Sequence, residues 1–193
     1  MEEKNLTPIE SIEIIELMIN KAKENVSNDS FYFILWGWLV FIASLANFIL
    51  EPIINDSASL VWLLMPLGGL ISFIYGMKQN KKHQVKTYIE SYLGYLWLAM
   101  GFAMIIIMFV MVKYHNQQSM PFFILLYAIG TFTSGGILQF KPLIIGGSIC
   151  FILCILAFFV GDYYQLLLIA LSVLVSYIIP GHLLKAKYCT NGS

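Results

Sequence analysis

Six long apolar runs, at approximately 31–50, 59–77, 92–112, 121–139, 142–160 and 163–184, alternate with short polar or Pro/Gly-containing turns. A helix needs about 20 apolar residues to cross ~30 Å of hydrocarbon. Each run is of that order. None alternates between apolar and polar positions, as the strands of a closed membrane barrel do. The pattern predicts an all-α membrane protein: a six-transmembrane-helix bundle over residues 31–184, followed by a short cytoplasmic tail at 185–193.

Residues 1–30 carry a different pattern. Ile12, Ile15, Ile19, Ala22 and Val26 recur at alternating spacings of three and four, one apolar stripe on a helix. Thr7 as N-cap, Pro8 at the first helical position and Glu10 at the third form a capping box with a pre-set first turn. "SNDS" (27–30) is expected to end this helix and cap the first span. Helices that lie on membranes usually present Lys and Arg to anionic lipid. This one is net acidic. It is expected to be a cytoplasmic amphipathic helix packing beneath its own bundle, or pairing with a protein partner or a second copy. Ile12, Glu13, Ile15, Glu16 and Ile19 are the candidate partner interface.

Composition supports lipid as the solvent. Hydrophobic residues make up 59% and charged residues 11%, against roughly 45–50% and about 25% in soluble domains. All 11 basic residues are lysines. Without the guanidinium fork that best reads phosphates and base edges, and without a basic patch, nucleic acid is not an expected partner.

The lysines also orient the chain. Lys4, Lys21 and Lys23 precede the first span; Lys78, Lys81, Lys82 and Lys86 lie in or beside the second loop. Lys141 lies between spans four and five, and Lys185 and Lys187 follow the last span. The opposite side holds only Lys113. Positive residues stay in the cytoplasm, so both termini are expected there. Phe31, Tyr32, Trp62, Tyr88, Tyr92, Tyr114, Tyr163, Tyr164 and Tyr188 fall near span ends, where amphipathic rings prefer the headgroup level. The acidic first thirty residues lack the pattern of a cleavable signal peptide, and the first span is expected to act as an uncleaved anchor.

Ionisable groups at mid-membrane usually mark function. Here Glu51, Asp56, Glu90 and Asp162 all fall at span ends. Asn47, Gln139, Thr131, Thr133 and Ser134 supply the polar content of the spans, and Asn47, Gly69 and Ser134 form a candidate polar cleft. His182, just after Pro180-Gly181, reads first as a boundary residue at the cytoplasmic rim, and with Glu90 it makes a candidate rim group. Cys150 and Cys154 read as small packing residues. Ser72/Gly76, Gly130/Ser134 and Ser172/Ser176 are small-residue pairs that let helices approach closely in lipid. No HExxH, GxSxG or Gly-rich phosphate loop is present. The chain is therefore not expected to be an enzyme, and no catalytic, cofactor-binding or metal residue is nominated.

The stretches "SNDSFYFILWGWLVFIA" (27–43) and "YIIPGHLLKAKY" (177–188) resemble those of a family of small, uncharacterised six-span bacterial integral membrane proteins. The resemblance implies a bacterial inner-membrane location and carries no chemistry with it. The expected function is a multi-pass protein acting through partner or self association. The alternative is a small-molecule or ion transporter using a cleft between the helices.

Overall fold

A computed structural model describes residues 8–80, 88–114 and 119–189, with side chains described for 30–55, 58–78, 91–113 and 119–187. Among these the chain is all-helical, with no strand. Helix α1 spans Pro8–Ile54, α2 Leu64–Asn80, α3 Tyr88–Tyr114, α4 Met120–Ile137 and α5 Lys141–Ala157. Helices α6 (Asp162–Val173) and α7 (Ile179–Cys189) are joined without a gap by a π-turn at Leu174–Ile178. A 3-10 stretch, Asn55–Leu63, leads into α2.

The break expected at "SNDS" does not occur: α1 is one helix of 47 residues. Ser, Asn and Asp each cost under about 1 kcal/mol inside a helix, too little to stop a rod continued by an apolar span. Pro8 begins the helix, as a residue with φ already set should. At the far end Asn55 takes a left-handed φ of 49°, and the chain leaves the helix. Asn tolerates that conformation better than most residues.

Two further irregularities have local causes. Gln139 takes φ 51° after α4, the Phe140 N–H returns to the Gly135 carbonyl at 2.9 Å, and that of Gln139 to Gly136 at 3.2 Å. This left-handed cap satisfies carbonyls that the helix end would orphan, and Pro142 then opens α5. In the last helix Pro180 has no N–H for the Ser176 carbonyl, and its ring crowds that group. The turn before it widens: the Ile179 N–H bonds to Leu174, five residues back. The distortion that Pro180 imposes is thus a π-turn upstream of it.

Close backbone approach organises the bundle. A Cβ on Gly147 would meet the Phe132 backbone nitrogen at 2.6 Å, and one on Gly135 the Ile144 nitrogen at 2.7 Å. Helices α4 and α5 thereby pack antiparallel, as Cys154 against Pro121 at their other end also shows. Helix α1 runs antiparallel to the last helix, with Gly37 on Ile178 and Gly181 on Ile34 at one end. Ser44 and Phe48 meet Leu166 and Tyr163 at the other. Lipid gives helices no hydrophobic reason to associate, so small residues that permit contact over long stretches take that role. Ile124, Leu143, Ile169, Val173 and Leu184 fill the centre and are almost fully buried.

Helices α2 and α3 are peripheral. The Trp36 indole donates to Ser72 at 3.1 Å and Phe31 stacks on Tyr75 at 4.0 Å, which holds α2 against α1. Gly130 receives Met100 and Trp97 of α3. Only 6% of each of these two spans is buried, against 33% of the α1 span, 44% of α4 and 56% of the last helix. Their outer faces carry Phe73, Leu70, Phe102 and Phe109, all more than half exposed. Water does not tolerate so continuous an apolar surface; a bilayer does. Five helices are long and apolar enough to cross one, and α5, at 17 residues, is shorter because Phe158–Val160 belong to the turn that follows it.

Candidate functional site

Polar side chains converge where α4, α5 and the π-turn meet. Thr131 and Ser134 lie one turn apart on α4, Ser172, Ser176 and Tyr177 come from the last helix, and Cys150 meets Ser172 from α5. All six are buried. The Ser176 hydroxyl donates to the Ser172 carbonyl at 2.7 Å, and the Cys150 thiol reaches the same oxygen at 3.4 Å. The Tyr177 ring is set edgewise against Trp97 and Tyr127, with centroids at 6.0 and 5.5 Å, and tilted on Phe33 at 5.6 Å. Its phenol lies beside the Thr131 hydroxyl.

Among the described residues the hydroxyl oxygens of Thr131, Ser134, Ser172 and Tyr177 have no partner in hydrogen-bonding geometry, Tyr177 and Thr131 being close without bonding. A buried polar atom left unpaired costs about 1–3 kcal/mol, so four in one neighbourhood is a costly arrangement. Hydroxyls both donate and accept. The group is suited to holding water or a small neutral polar molecule, not to acid–base chemistry. Among the described residues no three His, Cys, Asp or Glu side chains gather as a metal site would require.

A second polar knot closes the opposite end. Gln165 is 2% exposed, and its amide nitrogen lies 3.1 Å from the Ala157 carbonyl, 3.2 Å from Val160 and 3.4 Å from Asp162 Oδ1. It pins the turn between α5 and α6. Beside it Tyr163 stacks on Phe48 at 4.3 Å and donates to that residue's carbonyl at 3.0 Å.

The residues of the candidate cleft are not brought together. Asn47 is buried at the level of the Tyr163 knot, one turn beyond Ser44. Ser134 lies at the other end, one turn before the α4–α5 cap. Gly69 sits on α2 with nothing within 4 Å of where a Cβ would stand. His182 is exposed on α7, while Pro180 and Gly181 before it are buried, Gly181 against Phe33 and Ile34 of α1. The side chains of Glu90, Ile12, Glu13, Ile15, Glu16 and Ile19 lie outside the described residues. Tyr177 and Gln165 were not singled out from sequence. The available signals were a Ser-x-x-x-Ser-Tyr string just ahead of a proline, and a lone Gln three residues after Asp162.

Fold and site together define an all-helical protein whose apolar helices suit a bilayer, with hydroxyls in place of charges at its centre. No protein-family model, curated protein or solved structure matches this chain.

Proposed function

We propose that this is a six-span protein of the bacterial inner membrane, with both termini in the cytoplasm, acting by association with a second copy or a membrane partner and not by catalysis. Lys187 lies over the Phe140 ring at 5.5 Å, beside Lys141 and at the end where α2 finishes with Lys78 in its last turn, which supports a single cytoplasmic face. Helix α5, at 17 residues, is within the range of about 17–25 that spans a bilayer.

The observation that carries the association is on α3. Leu93 and Met100 are buried on its inner side, while Tyr95, Phe102 and Phe109, seven residues apart, are 74%, 61% and 66% exposed. A ring every seven residues presents a straight seam to a second helix. The leading helix, with Ile12, Glu13, Ile15, Glu16 and Ile19, supplies a further contact on the cytoplasmic side.

Single cysteines placed at 102, 109 and, as a control, 100, in a chain freed of its native cysteines, test this in membranes. Oxidation is expected to give a disulfide-linked dimer at 102 and 109 but not at 100. A monomer at all three positions overturns self-association through α3. Loss of dimer on deletion of residues 1–26 would assign the leading helix a share.

A second reading, passage of a small polar solute or ion, is favoured by the four unpartnered hydroxyls. Flux into vesicles containing the protein, reduced by Tyr177→Phe, is its expected signature; no flux for any solute tried from among cations, polyols and amino acids counts against it.

A further inference from the structure

At the lysine-poor end of the bundle, a cavity of about 540 Å³ opens between the start of α4 and the α5–α6 turn. Its walls include Phe122, Phe158, Phe159, Val160, Asp162 and Gln165. Phe122 and Phe158 meet edge to face, 5.6 Å between centroids. Phe159, also on the wall, is 83% exposed.

The polar groups here are acceptors. The Gln165 amide nitrogen is already occupied by the Ala157 and Val160 carbonyls, which leaves its Oε1 buried without a donor. The Asp162 carboxylate is exposed beside it. Helix α5 ends at the cavity, and a helix C-terminus carries partial negative charge. Helix α6 begins there, but Asp162 in its first turn already answers that positive end. Among the described residues no lysine lines the space. An anion would face Asp162, whereas a cation bearing N–H groups would meet the carboxylate, the orphan amide oxygen and the faces of phenylalanine rings.

We propose that this cavity binds a primary ammonium group, R–NH₃⁺, with Asp162 and Gln165 accepting its hydrogen bonds and Phe158 and Phe159 packing on its charge. The demand for N–H donors separates this ligand from a quaternary ammonium, which offers rings the same charge but gives Gln165 nothing. Two sources share the chemistry: the headgroup of an aminophospholipid, at the level where the apolar helices end, or a soluble amine. The inference does not depend on how copies of the chain associate.

The test uses the full-length protein. Native mass spectrometry would compare retention of phosphatidylethanolamine, phosphatidylcholine and phosphatidylglycerol, and titration calorimetry would measure ethanolamine against tetramethylammonium. Phosphatidylethanolamine or ethanolamine is expected to bind at least about fivefold more tightly than its methylated counterpart. Asp162→Asn and Phe158→Leu are each expected to weaken binding about fivefold to tenfold. Preference for the lipid alone assigns a headgroup site; preference for ethanolamine as well assigns a site open to soluble amines. Equal binding of the ethanolamine and choline lipids, stronger binding of the anionic lipid, or no binding of any amine overturns the proposal. So does full affinity in both variants. Asp162 is exposed, so Asp162→Asn is expected to fold. A thermal midpoint lowered only by the small loss of its charge at the start of α6, measured alongside, separates lost binding from lost structure.

Discussion

A Cβ atom on Gly146 would stand 2.6 Å from the carbonyl oxygen of Val175 and 3.1 Å from the Cα of Ser176. Helix α5 and the π-turn therefore touch backbone to backbone, with no flexible side chain between them to yield. Gly146→Ala is expected to lower stability by about 1–3 kcal/mol, the usual cost of forcing a methyl into a filled contact. Gly69→Ala is the control. With open space around it, it is expected to be neutral or to gain up to about 1 kcal/mol from helix propensity. Unfolding of both variants in detergent, by heat or by titration with a denaturing surfactant, checks the contrast.

Ser44 and Tyr163 tie the first span to the last. Their hydroxyls donate to the carbonyls of Leu166 at 2.5 Å and Phe48 at 3.0 Å. Ser44→Ala and Tyr163→Phe are each expected to cost about 0.5–1.5 kcal/mol, near the lower end if membrane hydrogen bonds behave as double-mutant cycles find. The two bonds are neighbours, so the double variant is expected to depart from additivity. The same unfolding assay measures it.

Tyr177→Phe removes an unpartnered buried hydroxyl and keeps the ring among Phe33, Trp97 and Tyr127. Stability is expected to stay the same or rise by up to about 1 kcal/mol, because the lost group makes no bond to lose. A fall of more than that would reveal a partner for the phenol, either the neighbouring Thr131 hydroxyl or an internal water.

Gln139→Gly places the residue that suits φ 51° at the α4–α5 cap. A left-handed conformation costs a side chain roughly 1–2 kcal/mol, so a gain of about 1 kcal/mol is expected, read as a higher midpoint in thermal unfolding.

The threading of the chain is checked by impermeant thiol labelling of intact cells. Cysteines replacing Lys81 and Lys187 are expected to stay unlabelled until the membrane is opened, and one replacing Asp162 to react from outside. The reverse pattern would invert the topology.

Much of this architecture is legible in single residues. Apolar runs bounded by turns locate the helices because hydrocarbon thickness sets their length. Proline and glycine punctuate them for backbone reasons that need no partner. The small-residue pairs are found at helix contacts: Ser72 against Trp36, Gly130 against Met100, and Ser172 against Cys150. The continuity of α1 through "SNDS" was not legible. Cap residues in sequence signal a helix end only when no stronger span carries the helix through them.

What the sequence by itself determined is a set of apolar runs that suit a bilayer, the helical content and the lysine asymmetry, since each follows from transfer energies, local propensities or position along the chain. Only the tertiary structure decided which polar groups meet. It parted Asn47 from Ser134, gathered Thr131, Ser172 and Tyr177 at the π-turn, and closed Gln165 over the α5–α6 turn. The physical reason is that a helix made apolar on every side, as a lipid-bathed helix is, carries no stripe to say which face turns inward. That choice falls to backbone contact at a few glycines, and it exists only once the helices are packed.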